Sequence, residues 1–362
     1  MRTAPSGLTF EVTDTVPQTK SAVTSPERIE YMKKLTRFLA LFVCAAIMLA
    51  LSACSPGEKI AVNISGAEID YETFLYFLDT VKNSPEDYGL DEKPSASALK
   101  KAAVECCKEY VAVNTWLEEE QLTLSPSEKS AASDNLNNTW RVFSHYYEEL
   151  GVSKQTLMKI KTSDANRDRL FYFVYDEGGE KAVAETDIKK YYDENYISFR
   201  AISVYLNTTD EDGKSAAMTD AEKAAVKTEL DSLAQRLKNG QTMDSVVDAY
   251  SAQHPDSTVS GQLQFIKKDA NSYPDGFFDK VKALGVGSSE VMIFDEYAFL
   301  VLRENLKDDD AQQYYIRYRD DCLKSLKGDE FDLLVKEYAA KLNAETDEKA
   351  VKKALREVGV DV

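Results

Sequence analysis

Histidine is nearly absent from this chain, with two residues, His145 and His254, among 362. They stand far apart in sequence, and the five cysteines show no CxxC spacing, so a zinc site has nothing to be built from. No metal and no cofactor are expected. Positive charge is also in short supply. Lysine and arginine number 44 against 62 aspartates and glutamates, a formal net charge of −18. Residues 1–53 hold six of the cations and four of the anions, which leaves −20 on the remainder. Such a surface repels polyanions, and no basic stripe with interleaved aromatics interrupts it, which excludes nucleic acid as a partner.

What is present begins with FLALFVCAAIMLAL, residues 38–51, which carries no charge and follows the basic segment MKKLTR at 32–37. A basic start, an apolar run of 14 residues and small residues after it form the pattern of a secretory signal. The run falls short of the ~20 residues that span a bilayer. It ends in Leu51-Ser52-Ala53-Cys54, which resembles the lipobox of bacterial lipoproteins. That resemblance implies that the Cys54 thiol is joined to diacylglycerol and that the chain is cut before it, leaving a lipid anchor and no spanning helix. Residues 1–31 are rich in Thr, Ser and Pro, have no periodicity and fit no signal peptide; Met32 is a candidate start, with residues 32–53 as the signal.

With 43% apolar residues, the exported part can bury sizeable cores. After a tether at 54–58, residues 59–82 read as a strand, a turn at Ser65-Gly66 and a helix. Glu68 follows Ser65 by three and Thr73 follows Asp70 by three, so the helix can start near either. Helical periodicity covers 97–122, 126–150 and 153–175, the second opened by the capping box Ser125–Glu128, and the block is expected to be all-helical after its first strand. From Thr186 the pattern changes to a short helix, a strand at 199–207, a polar loop and a capping box at Thr219–Glu222. Helices at 220–239 and 242–250, a strand at 262–266, a helix at 274–284 and a hairpin of 289–294 with 297–305 follow. The order is β-α-α-β-α-β-β. Beyond Asp308 three helices are expected, with VGVDV as a closing strand.

These stretches together resemble the PrsA-type foldase lipoproteins of Gram-positive bacteria, which are related to SurA-type chaperones. KIAVNISGAEIDYETFLYFL (59–78) is similar to their strand-to-helix opening, TDIKKYYDENY (186–196) to the helix before their parvulin module, and 199–305 to that module's order. Inside it, KNGQTMDSVVDAYS, SGQLQF, YPDGFFDKV and GVGSSEVM stand for family segments. The resemblance implies an α+β fold, mostly helical. A chaperone domain would be built from N-terminal (59–184) and C-terminal (307–362) segments, with a parvulin-like module inserted at 185–306. It also implies a prolyl isomerase site around two histidines, whose places read Ala201 and Ala298 here. His254 is the one imidazole near enough in sequence to compensate.

Prolyl isomerisation forms and breaks no covalent bond; a site lowers the barrier of ~18–20 kcal/mol by stabilising the twisted amide. This needs an apolar pocket for the proline ring, for which Leu263, Tyr273, Phe277 and Phe278 are candidates. They serve equally well as plain core. The reading is therefore a lipid-anchored chaperone on the outer face of the cell membrane that binds unfolded exported polypeptides, its module catalytically impaired. The alternatives are an active isomerase and a non-catalytic envelope scaffold. A homodimer is left open. Phe74/Phe77, Trp116, Trp140/Phe143/Tyr147 and Tyr314/Tyr318 fall at helical spacing, either to line a client cradle or to fill a core. Cys106 or Cys107 would reach Cys322 if the N- and C-terminal helices pack together.

Overall fold

A computed structural model describes residues 60–209, 215–257, 259–270, 272–306 and 309–362. Cys54, the apolar run and the leader lie outside the described residues. In chain order the first elements are β1 (Ile60–Ile64), β2 (Ala67–Asp70), α1 (Tyr71–Asn83), α2 (Ala96–Glu119), α3 (Pro126–Leu150) and α4 (Lys154–Tyr175). Next come α5 (Glu185–Asn195), β3 (Tyr196–Tyr205), β4 (Asn207–Thr209), β5 (Ser215–Ala217), α6 (Asp220–Lys238) and α7 (Met243–Gln253). The remainder is β6 (Gln264–Lys267), α8 (Phe277–Ala283), β7 (Ser289–Ile293), β8 (Tyr297–Glu304), α9 (Asp309–Ala339), β9 (Ala344–Thr346) and α10 (Glu348–Glu357). The class is α+β and mostly helical, as the sequence implies, and β3-α6-α7-β6-α8-β7-β8 keeps the expected order with a small hairpin added. No described helix is long and apolar enough to cross a membrane.

The chain forms two compact units, one running to Thr123 and adding Thr139–Leu157 and Asn343–Val362, the other made of Leu124–Asn138 and Met158–Leu342. In the first, strand order β2-β1-β9 joins the two ends of the chain. The Ser65 N–H donates to the Asn343 carbonyl and the Asp347 N–H to the Ala61 carbonyl, both at 2.9 Å. Asp70 caps α1, accepting from the Thr73 N–H at 2.8 Å, so of the two candidate starts the later one is used. Helix α1 buries Phe74, Leu75, Leu78 and Val81, one stripe at helical spacing.

Several expectations need correction. The segment AEID is a strand, so the N-terminal block holds a hairpin; four residues are too few for alternation to show. The polar loop after β3 contains the β4–β5 hairpin. The first two of the three C-terminal helices are one helix, α9, which runs through Gly328. Glycine costs about 1 kcal/mol there relative to alanine, but Leu323, Phe331 and Val335 are buried on either side of it and their packing outweighs that cost. VGVDV is not a strand: Val358 is the C-cap of α10, and the strand that pairs with β1 is β9, just before α10. Cys106, Cys107 and Cys322 are free thiols.

In the second unit both capping boxes form as their spacing predicts, Ser125 with Glu128 and Thr219 with Glu222. Arg319 on α9 ties down the first residue of α5 and the residue that follows α4. Its guanidinium donates to Asp176 at 2.8 Å and to Glu185 at 3.0 Å, and the Tyr315 hydroxyl donates to Glu185 at 2.5 Å. Although partial burial works against it, these donors hold the carboxyls of Asp176 and Glu185 below their ordinary range. A carboxyl whose folded pKa is depressed adds stability above its unfolded pKa and loses it as pH falls through the folded value. Arg319→Ala is therefore expected to cost about 1 kcal/mol at pH 7, a partly solvated pair being worth little more. The deficit should fade below about pH 4. Urea titrations of both proteins at pH 7 and pH 3 check this, and an equal deficit at both values would contradict it.

Candidate functional site

The sheet of order β6-β3-β8-β7 presents two different faces, because successive side chains of a strand point to opposite sides. On one side Ile202, Leu206, Ala298 and Leu300 join Leu230, Leu233, Val246 and Tyr250 from α6 and α7 in a closed core. On the other, Phe199, Phe299 and Val301 meet Phe277, Phe278 and Val281 from α8, with Ala201, Tyr273 and Phe294 packed against them. The second side is dominated by aromatic rings. Phe277 is its hub, with ring centroids 4.5 Å from Tyr273, 4.9 Å from Phe299, 5.2 Å from Phe199 and 6.0 Å from Phe294.

The rings continue outward. Phe299 stacks on Tyr297 at 5.9 Å, and Tyr297 lies 5.2 Å from Tyr205, its cross-strand partner. Tyr205 and Tyr297 are 47% and 37% exposed, so the cluster passes from sealed core to solvent without a polar interruption of its rings. Beside it, on the same side of β3, are Ala201 and the exposed Ser203. Burial pushes the Tyr273 hydroxyl above its ordinary range, which keeps it a neutral donor.

One contact holds α8 over this face, and one tight turn sets the path into β6 beside α7. Arg303 on β8 donates to the carbonyls of Leu284 at 2.7 Å and of Lys282, capping the C-terminal end of α8. Gly261 brings the chain into β6 with φ of +56°, and a Cβ there would sit 2.5 Å from Val247 Cγ2, so the turn in SGQLQF requires glycine.

The sequence-predicted residues divide accordingly. Phe277 and Phe278 are buried and Tyr273 is half-buried in the aromatic cluster; Leu263 is half-buried just before β6 and belongs to neither core. Ala201 and Ala298 do not meet. Ala201 pairs with Val301 and Ala298 with Val204, three positions along, which puts the two alanines on opposite faces of the sheet. His254 also lies away from the aromatic side. It is the C-cap of α7, stacks on Tyr250 at 4.3 Å and bonds Glu229 at 2.7 Å. These three and Ser257 line a cavity of 360 Å³ together with Met218, Val226 and Val259 and, from the end of β3, Ser203, Val204 and Tyr205. Burial and then the Glu229 charge raise the Tyr250 pKa.

Sequence reasoning missed Tyr205, Tyr297, Phe294 and Phe299. Counting alternate positions in FRAISVY and YAFLV would have found three of them, since 199/201/203/205 and 297/299/301 each share a face. Of the aromatic stripes, Phe74 is core, and Phe77, Trp116, Trp140, Tyr147, Tyr314 and Tyr318 are half-buried. Phe143 is 53% exposed and lies on α3 beside Val142 and Tyr146, which are also exposed.

No family model matches the chain, and no curated protein matches it. Among solved structures the chain is similar to the foldase protein PrsA of Streptococcus pneumoniae, at 13% identity over 78% of this chain and 94% of that one, with a TM-score of 0.38. It is similar also to PrsA of Lactococcus lactis, at 12% identity over 83% and 99%, TM-score 0.38. A SurA-like chaperone of Campylobacter jejuni matches at 12% identity over 80% and 99%, TM-score 0.27.

Proposed function

We propose that this chain is a chaperone for exported polypeptides, anchored outside the cytoplasm through a lipid on Cys54. Its module at 185–306 would hold prolyl or apolar segments while turning them over poorly, and the segments 59–184 and 307–362 would form the chaperone domain. The observation that carries this reading is the aromatic face. Aromatic-lined grooves suit proline rings and extended apolar chain, and the exposed pair Tyr205/Tyr297 offers such a surface at the end of a rigid cluster. Its neighbours on that face of β3 are Ala201 and Ser203, and the imidazole of His254, which shares a cavity with Tyr205 and Ser203, is held by Tyr250 and Glu229. A site of that composition can bind an amide without polarising it strongly.

Val142, Phe143 and Tyr146 form a second apolar surface on α3 suited to unfolded chain. Purified protein from Cys54 onward is expected to slow aggregation of a chemically unfolded client. The double substitution Val142→Ser and Phe143→Ser should reduce that capacity several-fold while leaving the urea midpoint unchanged. No slowing by the unaltered protein would remove the reading. Incorporation of labelled palmitate that is lost in Cys54→Ala tests the anchor.

A further inference from the structure

We infer that the outer edge of β7 is a strand-addition site that pairs, backbone to backbone, with an extended client segment carrying alternating cationic and apolar side chains. The inference rests on the chaperone reading and specifies how a client would be held. The hydrogen-bond phase of the β7–β8 hairpin is set at both ends. The Phe294 N–H donates to the Tyr297 carbonyl at 2.8 Å and the Arg303 N–H to the Ser288 carbonyl at 2.9 Å. With the register Met292↔Phe299 and Glu290↔Val301, the pairs that exchange bonds with β8 are therefore 294, 292 and 290. Ser289, Val291 and Ile293 turn their N–H and C=O groups away from β8. Sheet order ends at β7, and among the described residues nothing pairs with those groups.

The opposite edge strand is treated differently. β6 is overlaid by α9, with Phe265 stacked on Tyr314 at 3.5 Å and Lys267 bonded to Ser325 at 3.0 Å. An open edge beside a protected one is a template for another strand. Charge and continuity then select the occupant. Glu290, Asp295 and Glu296 are exposed, and residues 289–296 contain no lysine or arginine. A second copy of this chain would set acid against acid across the junction, on a molecule that already carries −18. A strand added beside Val291 would place every second side chain next to Glu290 and Met292, on the aromatic side of the sheet. Its other side chains would lie next to Val291 and Ile293, which pack against the core under α6. Lysine or arginine suits the first set and an apolar residue the second. The added strand also runs alongside the aromatic face, so one client segment can engage both.

The test uses protein from Cys54 onward and a fluorescein-labelled peptide of alternating lysine and valine. The added strand is taken as antiparallel to β7, so its bonded residues share a face with the edge residues they pair with; valine N–H groups then point at β7 and lysine N–H groups point away. Binding by fluorescence anisotropy is expected to weaken at least ten-fold when every valine is N-methylated and to change less than two-fold when every lysine is. In residue-resolved hydrogen exchange the peptide should protect the amides of Ser289, Val291 and Ile293, those of Glu290 and Met292 being bonded already. Val291→Pro, which removes one outward donor, should weaken binding ten-fold, with Val291→Thr as the control. Equal affinity for the two methylated peptides, or no protection at the three amides, overturns the inference. Suppression of client aggregation without that protection rejects the edge alone; absence of suppression rejects the chaperone reading and leaves the peptide result to judge the edge.

Discussion

Ala298→His is expected to lower stability by about 3 kcal/mol, because it forces a larger polar ring into a closed core. Ala298 is fully buried in one cluster with Ile202, Leu230 and Leu300, aliphatic side chains that offer an imidazole no hydrogen bond. Urea denaturation measures the loss. The more informative result concerns activity. In a protease-coupled proline-peptide assay, Ala201→His combined with Ala298→His should give no gain in isomerisation over the unaltered protein. The two positions face opposite sides of the sheet, and paired imidazoles on opposite sides cannot act on one amide. A rate in the double variant near that of an intact parvulin would show that the chain can regroup them, and would refute this account of the site.

The second large effect separates packing from binding within the aromatic cluster. Phe277→Ala should cost about 3–5 kcal/mol, the usual range for emptying a buried phenylalanine site. The ring is fully buried and touches four others, none of which can move into the space without leaving its own partners. Tyr297→Ala, at the exposed end, should change the urea midpoint little. It should weaken binding of a proline-containing peptide roughly five-fold, about 1 kcal/mol for one lost aromatic contact. If Tyr297→Ala bound such a peptide as well as the parent, the aromatic face would be only core with a wet rim.

Much of this was legible in the sequence where local rules suffice. The capping boxes at Ser125 and Thr219, the hairpin around Asp295-Glu296 and the order of the sheet unit follow from spacing alone. Three kinds of feature were not. Short strands such as AEID and AET carry no period in three or four residues; AEID takes its conformation from the hairpin with β1, and AET from Val62–Ile64, a partner far along the chain. That Ala201 and Ala298 face opposite sides of the sheet was not legible for a different reason. Matching Ala201 and Ala298 one at a time says nothing of register, and with a side-chain period of two, an offset of three positions across β3 and β8 moves a residue through the sheet. The helix through Gly328 is a third case, in which a weak local breaker yields to tertiary packing.

The three free sulfhydryls among the described residues have a bearing on how such a protein would persist once folded. Burial drives the Cys106 pKa up to about 12 and that of Cys322 up to about 11, and it raises that of Cys107 well above the ordinary range. Nucleophilic thiolate is then scarce at neutral pH, and exchange with small oxidants or mixed-disulfide carriers is slow. Once folded, a chain with these groups tucked away keeps them reduced in an oxidising compartment. Its thiols would likewise exchange slowly with the disulfides of any other polypeptide it meets.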